Sequence, residues 1–240
     1  MDARTVHWTT LGDPQTGATT EGLREQKKRL MRQQLSDTAT EMFMERGFDA
    51  VRVSEVAAAC GVSEKTVFNY FPTKESLLLD RWDSTMASLR RGMAGPGVSP
   101  VDVARQILDD ELRAMTSWLG RQPDVVQASL TMRRFGDLIR STPSLRAHQH
   151  DTTDQLIALA AEFLAKRARM RTGDPEPQIA ATALLGLWNI QSQSLRKHLD
   201  GTRTPTQIHE AVTADVRRAA QLIDTGLRPY FSSGAQDNLP

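Results

Sequence analysis

Lys65, Thr66, Tyr70 and Lys74 fall in the run GVSEKTVFNYFPTKESLL, residues 61–78. Ammonium groups and hydroxyls at this spacing are hydrogen-bond donors suited to phosphates and to base edges. Gly61 supplies a tight turn, Ser63 is placed to cap a short helix through Tyr70, and Pro72 forces its end. Lys65 and Thr66 then stand in the first turn of that helix, where they reach base edges or phosphates. Val67 and Phe71 share a face with the turn and are expected in the core. Tyr70 joins a ring that packs to a hydroxyl that can donate to a phosphate. Lys74 opens the next helix, capped by Thr73, where its ammonium and the exposed backbone N–H groups can share one phosphate. Two neighbours stay open: Asn69 between an adenine contact and plain exposure, Phe68 between groove contact, solvent exposure and helix packing.

A preceding helix completes the unit. Val53, Val56, Ala57 and Cys60 fall on its inner side, and CGVS joins it to the second helix. Two short helices so joined follow the helix-turn-helix plan, in which the second helix enters the major groove. Cys60 is expected as a buried structural thiol. Upstream, Leu35, Ala39, Met42 and Phe43 mark one face of a long helix from Gly22 to Arg46, ended by Gly47. Its first half, REQKKRLMRQQ, carries Arg24, Lys27, Lys28, Arg29 and Arg32. Such a run is ordinarily a solvated helix end, but beside this unit it points to backbone contact, Lys28 included.

The residues ERGFDAVRVSEVAAACGVSEKTVFNYFPTKESLL resemble the DNA-binding domain of the tetracycline-repressor (TetR) family of transcriptional regulators. Gly47-Phe48, Val56-Ala57, Gly61-Val62-Ser63, Tyr70-Phe71 and Lys74-Glu75 stand where that family's pattern puts such residues, over about residues 30–80. The resemblance implies a homodimer on a palindromic double-stranded DNA operator, and a variable C-terminal helical domain that dimerises and binds a small-molecule inducer. It also implies a bacterial origin, while the lack of an apolar span, a signal peptide and a disulfide framework points to the cytoplasm. One position departs: Arg52 stands at the N-cap of the first short helix, where the family usually has Thr. An Arg offers no capping oxygen but reaches a phosphate in bidentate fashion, and Ser54 is the alternative hydroxyl.

The rest of the chain reads as helix. Ser99-Pro100, Thr142-Pro143, Asp174-Pro175 and Thr204-Pro205 each pair an N-cap residue with Pro at the first helical position, and Gln207 adds a capping box to Thr204. No apolar residues alternate with period two, so the fold class is all-α, about nine helices in two domains. The expected division is a mobile arm at 1–20, a helix-turn-helix domain at 21–92, a ligand-binding and dimerisation domain at 93–230 and a flexible tail at 231–240. GMAGPG, residues 92–97, is the seam, and Thr73 is expected to cap a single helix carrying Leu77, Leu78 and Trp82.

In the second domain Met115, Trp118, Met132, Phe135, Phe163, Leu184 and Trp188 are core or pocket wall. Trp118, Phe135, His148, Trp188 and Gln191 are the candidate inducer contacts. Ala180, Ala183, Leu184, Leu187, Gln191 and Leu195 form one late stripe, and Ile208, Ala211, Val212, Asp215, Val216, Ala219, Leu222 and Ile223 another. Both suit an isologous four-helix interface; alternatively, both close the chain's own core.

Composition narrows the classes. The chain has 240 residues, 39% of them hydrophobic and 25% charged, and a formal net charge of +1 that does not by itself announce nucleic acid. No apolar run approaches the ~18 residues of a membrane span, and no signal peptide is visible. One Cys excludes an internal disulfide framework, and His148 and His150 are wrongly spaced to share a metal. No phosphate loop, nucleophile elbow or carboxylate pair suggests an enzyme, and no cofactor or metal is expected. Two rivals remain: a DNA-binding regulator released by a protein partner, and an enzyme with an appended DNA-binding unit.

Overall fold

The computed structural model describes residues 22–79, 82–93 and 97–232, which fold into ten helices with no strand among them. They are α1 Leu23–Arg46, α2 Val53–Ala59, α3 Glu64–Tyr70, α4 Ser76–Leu79, α5 Trp82–Met93, α6 Pro100–Gly120, α7 Val125–Ser141, α8 Pro143–Ala168, α9 Pro175–His198 and α10 Pro205–Ser232. The all-α expectation holds. The expected single helix after Thr73 is described as α4 and α5, on either side of residues 80 and 81, which lie outside the described residues, as do the expected arm at 1–20 and the middle of the 92–97 seam. α10 runs to Ser232, and the remainder of the expected tail is likewise outside.

Sequence-local signals set most helix ends. Gly47 ends α1 with φ 87°, its N–H donating to the Phe43 carbonyl at 2.9 Å, a conformation that favours glycine. Thr204 and Gln207 form the reciprocal box: Gln207 N–H donates to Thr204 Oγ1 at 3.2 Å and Thr204 N–H to Gln207 Oε1 at 2.9 Å. Ser99, Thr142 and Asp174 do occupy N-cap positions ahead of Pro, yet none caps with its side chain. Thr142 Oγ1 instead donates back to the Leu138 carbonyl at 2.8 Å, and Asp174 accepts from the Arg171 N–H and guanidinium.

Two apolar clusters organise the chain. The first gathers Leu35, Ala39, Phe43, Phe48, Val56, Val67, Phe71 and Leu77 from α1 to α4 with Leu145 from α8. The second gathers Leu108, Leu112, Leu119, Leu164, Leu184, Leu187 and Val212 from α6, α8, α9 and α10. Phe135 of α7 packs against both. Leu89 and Met93 join the second cluster, so α5 packs with the C-terminal helices although the sequence places the seam after it. Gly92 shows why the glycine is there: a Cβ on it would meet Val103 Cγ1 at 2.5 Å, so it permits close approach of α5 to α6.

The two stripes expected at a dimer interface mostly close the chain's own core. Ala180, Leu184, Leu187, Gln191, Ile208, Val212 and Val216 are all buried within the single chain, because α9 packs on α8, α10 and α6. Asp215 is also taken internally: Ser194 Oγ donates to its Oδ2 at 2.7 Å, Arg218 pairs with its Oδ1 at 2.6 Å, and His198 Nε2 lies 3.6 Å from Oδ2. The Ser194 hydroxyl foremost holds its carboxyl below the ordinary range. What α9 and α10 leave in solvent includes Leu222, 78% exposed and a member of the expected α10 stripe, and Ile179, 65% exposed and outside the expected α9 stripe, with Thr182 and Gly186 beside it on α9.

Candidate nucleic-acid interface

α3 is held from three directions. Its N-terminus is capped by Ser63, whose Oγ accepts from the Thr66 N–H at 3.1 Å and shares a hydrogen bond of 2.8 Å with Thr66 Oγ1. Its inner side is Val67, fully buried with Phe71 just beyond its end. Its C-terminal carbonyl at Tyr70 accepts from Arg32 Nη1 at 2.8 Å, and the same guanidinium lies 4.7 Å from the centre of the Phe71 ring. A cation at a helix C-terminus is favourable on electrostatic grounds as well. Arg32, one of the basic run on α1, therefore braces α3 from within.

Gly61, at φ 69°, turns the chain between α2 and α3. Arg52 stands at the N-cap of α2 with no side-chain capping bond; its own N–H donates to Glu55 Oε2 at 2.8 Å. Arg46 Nη2 holds the other Glu55 oxygen at 2.8 Å. The Arg52 N–H first and the Arg46 guanidinium second hold the Glu55 carboxyl below its ordinary range. Half of a capping box is thus present, and the missing half is a hydroxyl at position 52. Arg52→Thr should raise the free energy of unfolding by about 1 kcal/mol, measured by urea denaturation. An unchanged midpoint would mean that the Glu55 bond alone already closes the first turn.

The outward side carries the predicted contacts unevenly. Arg52, Ser54, Ser63, Lys65 and Asn69 are exposed. Lys28 is exposed on the part of α1 that precedes its first buried residue, Leu35. Thr66 and Tyr70 are half-buried, Thr66 bonded to Ser63 and Tyr70 packed on the first cluster. Lys74 has an internal role that sequence did not show: its Nζ donates to the Phe48 carbonyl at 2.6 Å and lies 4.3 Å from the Phe48 ring centre and 5.6 Å from that of Phe43. The N–H of Ser76, at the start of α4, is likewise taken by Thr73 Oγ1 at 3.1 Å. Cys60 is half-buried rather than buried, because it ends α2 at the turn; its thiol faces the Gln34 carbonyl at 3.9 Å.

The candidate inducer residues are distributed over four helices. Trp188 Nε1 donates to Glu111 Oε2 at 3.2 Å, and Gln191 Nε2 to the Leu108 carbonyl at 3.2 Å, so both fasten α9 to α6, the helix of Trp118. Gln191 is 6% exposed, and its Oε1 has no hydrogen-bond partner among the described residues. Phe135 sits where the two clusters meet, and His148 is half-buried on α8. Among the described residues no group of three His, Cys, Asp or Glu is placed to hold a metal, and no helix is long and apolar enough to cross a membrane.

Residues 35–80 match bacterial regulatory proteins of the tetR family, and residues 112–213 match the MftR C-terminal domain. A protein of Mycobacterium tuberculosis named as the mycofactocin biosynthesis transcriptional regulator MftR is 28% identical over 153 residues, 64% of this chain and 73% of its own. The HTH-type transcriptional repressor KstR of Rhodococcus jostii is 28% identical over 182 residues, 75% of this chain and 76% of its own. A TetR-family regulator of known structure from Streptomyces coelicolor A3 is more distant, at 20% identity and a TM-score of 0.43 over 82% of this chain and 99% of its own. With a tetR-family domain at its N-terminus and an MftR-type domain at its C-terminus, this chain is a transcriptional regulator of the TetR family.

Proposed function

We propose that the chain is a dimeric repressor that binds a palindromic operator through α3 and is released by a small molecule. The observation that carries this reading is α3 itself, a capped and braced helix whose outward side presents Lys65 and Asn69 to solvent. Lys65 and Asn69 read base edges, while Arg52, Ser54 and Lys28 meet phosphates and set the register. Ser63, Thr66, Tyr70 and Lys74 contribute chiefly by holding that surface in shape, with their remaining hydrogen-bonding capacity directed at the backbone. Relatives named as repressors, KstR among them, support the sign of regulation.

The twofold pairing is assigned to the face of α9 and α10 that bears Ile179 and Leu222, since a second copy would take these side chains out of water. The domains of the proposal are 21–92 for DNA and 93–230 for pairing and inducer. The inducer lies among α6, α7, α8 and α9, with Trp118, Phe135 and Trp188 as apolar walls and Gln191 and His148 as polar anchors. Gln191 Oε1 accepts a hydrogen bond from it. A coupling of about 1–3 kcal/mol between inducer and operator is the expected scale.

Selection of duplexes from a random library by the full chain tests the proposal. A palindrome should be enriched, and binding isotherms should show Lys28→Ala lowering the log–log salt slope by about 0.9 for each phosphate that the ammonium had neutralised. No enriched sequence, or an enriched site without twofold symmetry, would overturn it.

A further inference from the structure

Glu64, Lys65, Phe68 and Asn69 form the exposed side of α3, and three of these four are charged or polar. Phe68 is the exception. Phe68 is 43% exposed, whereas Tyr70, two positions on, is half-buried against the first cluster. At 3.6 residues per turn, Val67 and Phe71 lie about 40° apart on the inward side, and Phe68 stands about 60° beyond Phe71. The cap of α3 is made by Ser63 and its brace by Arg32, neither of them with Phe68.

A single exposed apolar side chain is ordinary on a protein surface. Its company here is not. In the major groove, a Lys donates to guanine, an Asn pairs with adenine and a carboxylate accepts from cytosine, so Lys65, Asn69 and Glu64 match three of the four bases. Thymine alone presents an apolar group there, its C5 methyl, and polar side chains gain nothing from it. Phe68 is the apolar member of the same surface.

We infer that Phe68 is a specificity-determining residue that packs on the C5 methyl of a thymine in each operator half-site. The inference rests on the DNA-binding reading of α3. It commits the operator to a thymine opposite the middle of α3, at a position fixed by apolar contact rather than by a hydrogen bond.

The test uses the duplex enriched by the full chain, with each thymine replaced in turn by deoxyuracil. That exchange deletes only the methyl and keeps the pairing. At one position per half-site, wild type should lose about four-fold in affinity, the scale of one buried methyl group. Phe68→Ala should bind the parent duplex more weakly and show no further loss at that position, with an unchanged salt slope because the ring neutralises no phosphate. Phe68→Leu, which keeps an apolar contact, should retain part of the discrimination. Far-UV circular dichroism should match wild type for both variants, since the ring lies outside the core. Equal responses of wild type and Phe68→Ala to every deoxyuracil would overturn the inference while leaving DNA binding intact. So would a Phe68→Ala variant that binds the parent duplex as wild type does. If no duplex is enriched at all, the DNA-binding reading falls and the inference with it.

Discussion

Phe71→Ala should lower the free energy of unfolding by about 3–5 kcal/mol, the scale for removing a fully buried aromatic ring. Phe71 is 1% exposed in the first cluster, and the guanidinium of Arg32 lies against its face. The substitution removes apolar contact from the inside and the cation's platform from the outside. Because domains are stable by only about 5–15 kcal/mol, a large part of the margin would go at once. Urea denaturation followed by circular dichroism checks this, with Phe71→Leu as the comparison that keeps most of the volume. DNA affinity should fall with Phe71→Ala even where the protein remains folded, since Arg32 also holds the Tyr70 carbonyl at the end of α3. A loss below about 1 kcal/mol would show that the ring is not the keystone of the α1–α3 contact.

Leu145→Ala should cost about 2–5 kcal/mol, but its effect is expected to be of another kind. Leu145 begins α8 and is 0% exposed, yet it belongs to the cluster built from α1 to α4. Leu138, Ile139 and Phe135 of α7 pack on the same cluster, so the end of α7 and the start of α8 form a plug in the N-terminal unit. Shortening the plug weakens the joint more than either core. The unfolding transition should broaden, with the circular dichroism and tryptophan fluorescence transitions no longer coincident, as independent melting of two units requires. A single coincident transition at the wild-type midpoint would show that the joint carries no stability of its own.

How much of this was legible in the sequence depends on the range of the interactions involved. Ser63, Gly47, Gly61 and the Thr204–Gln207 box act within about four residues, and the structure has all of them as expected. Val67 and Phe71 were legible as inward because period and the nearby turn agree. Lys74 and Arg32 were not, since their carbonyl partners lie 26 and 38 residues away in sequence. No local pattern distinguishes a lysine aimed at a phosphate from one aimed at the Phe48 carbonyl. The stripes on α9 and α10 show a second limit. Periodicity reveals that Leu184 and Val212 face something apolar, but it is silent on whether that is the same chain or another copy. Leu222 already stood in the expected stripe, whereas exposed Ile179 was readable only once the occupied face was known. Capping residues before Pro were legible by position, but not the choice of Thr142 to turn its hydroxyl back to Leu138.

The way α3 is fastened has a consequence for how such a protein can diverge. Everything that secures the helix, the Ser63–Thr66 pair, Val67, Phe71 and the Arg32 bond, acts on its inner side or its ends. Neither the cap nor the Arg32 brace uses Lys65, Phe68 or Asn69. Those three positions are therefore free to mutate without charging the fold for the change. A duplicated copy could drift to a new set of target sequences one substitution at a time, staying folded at every step.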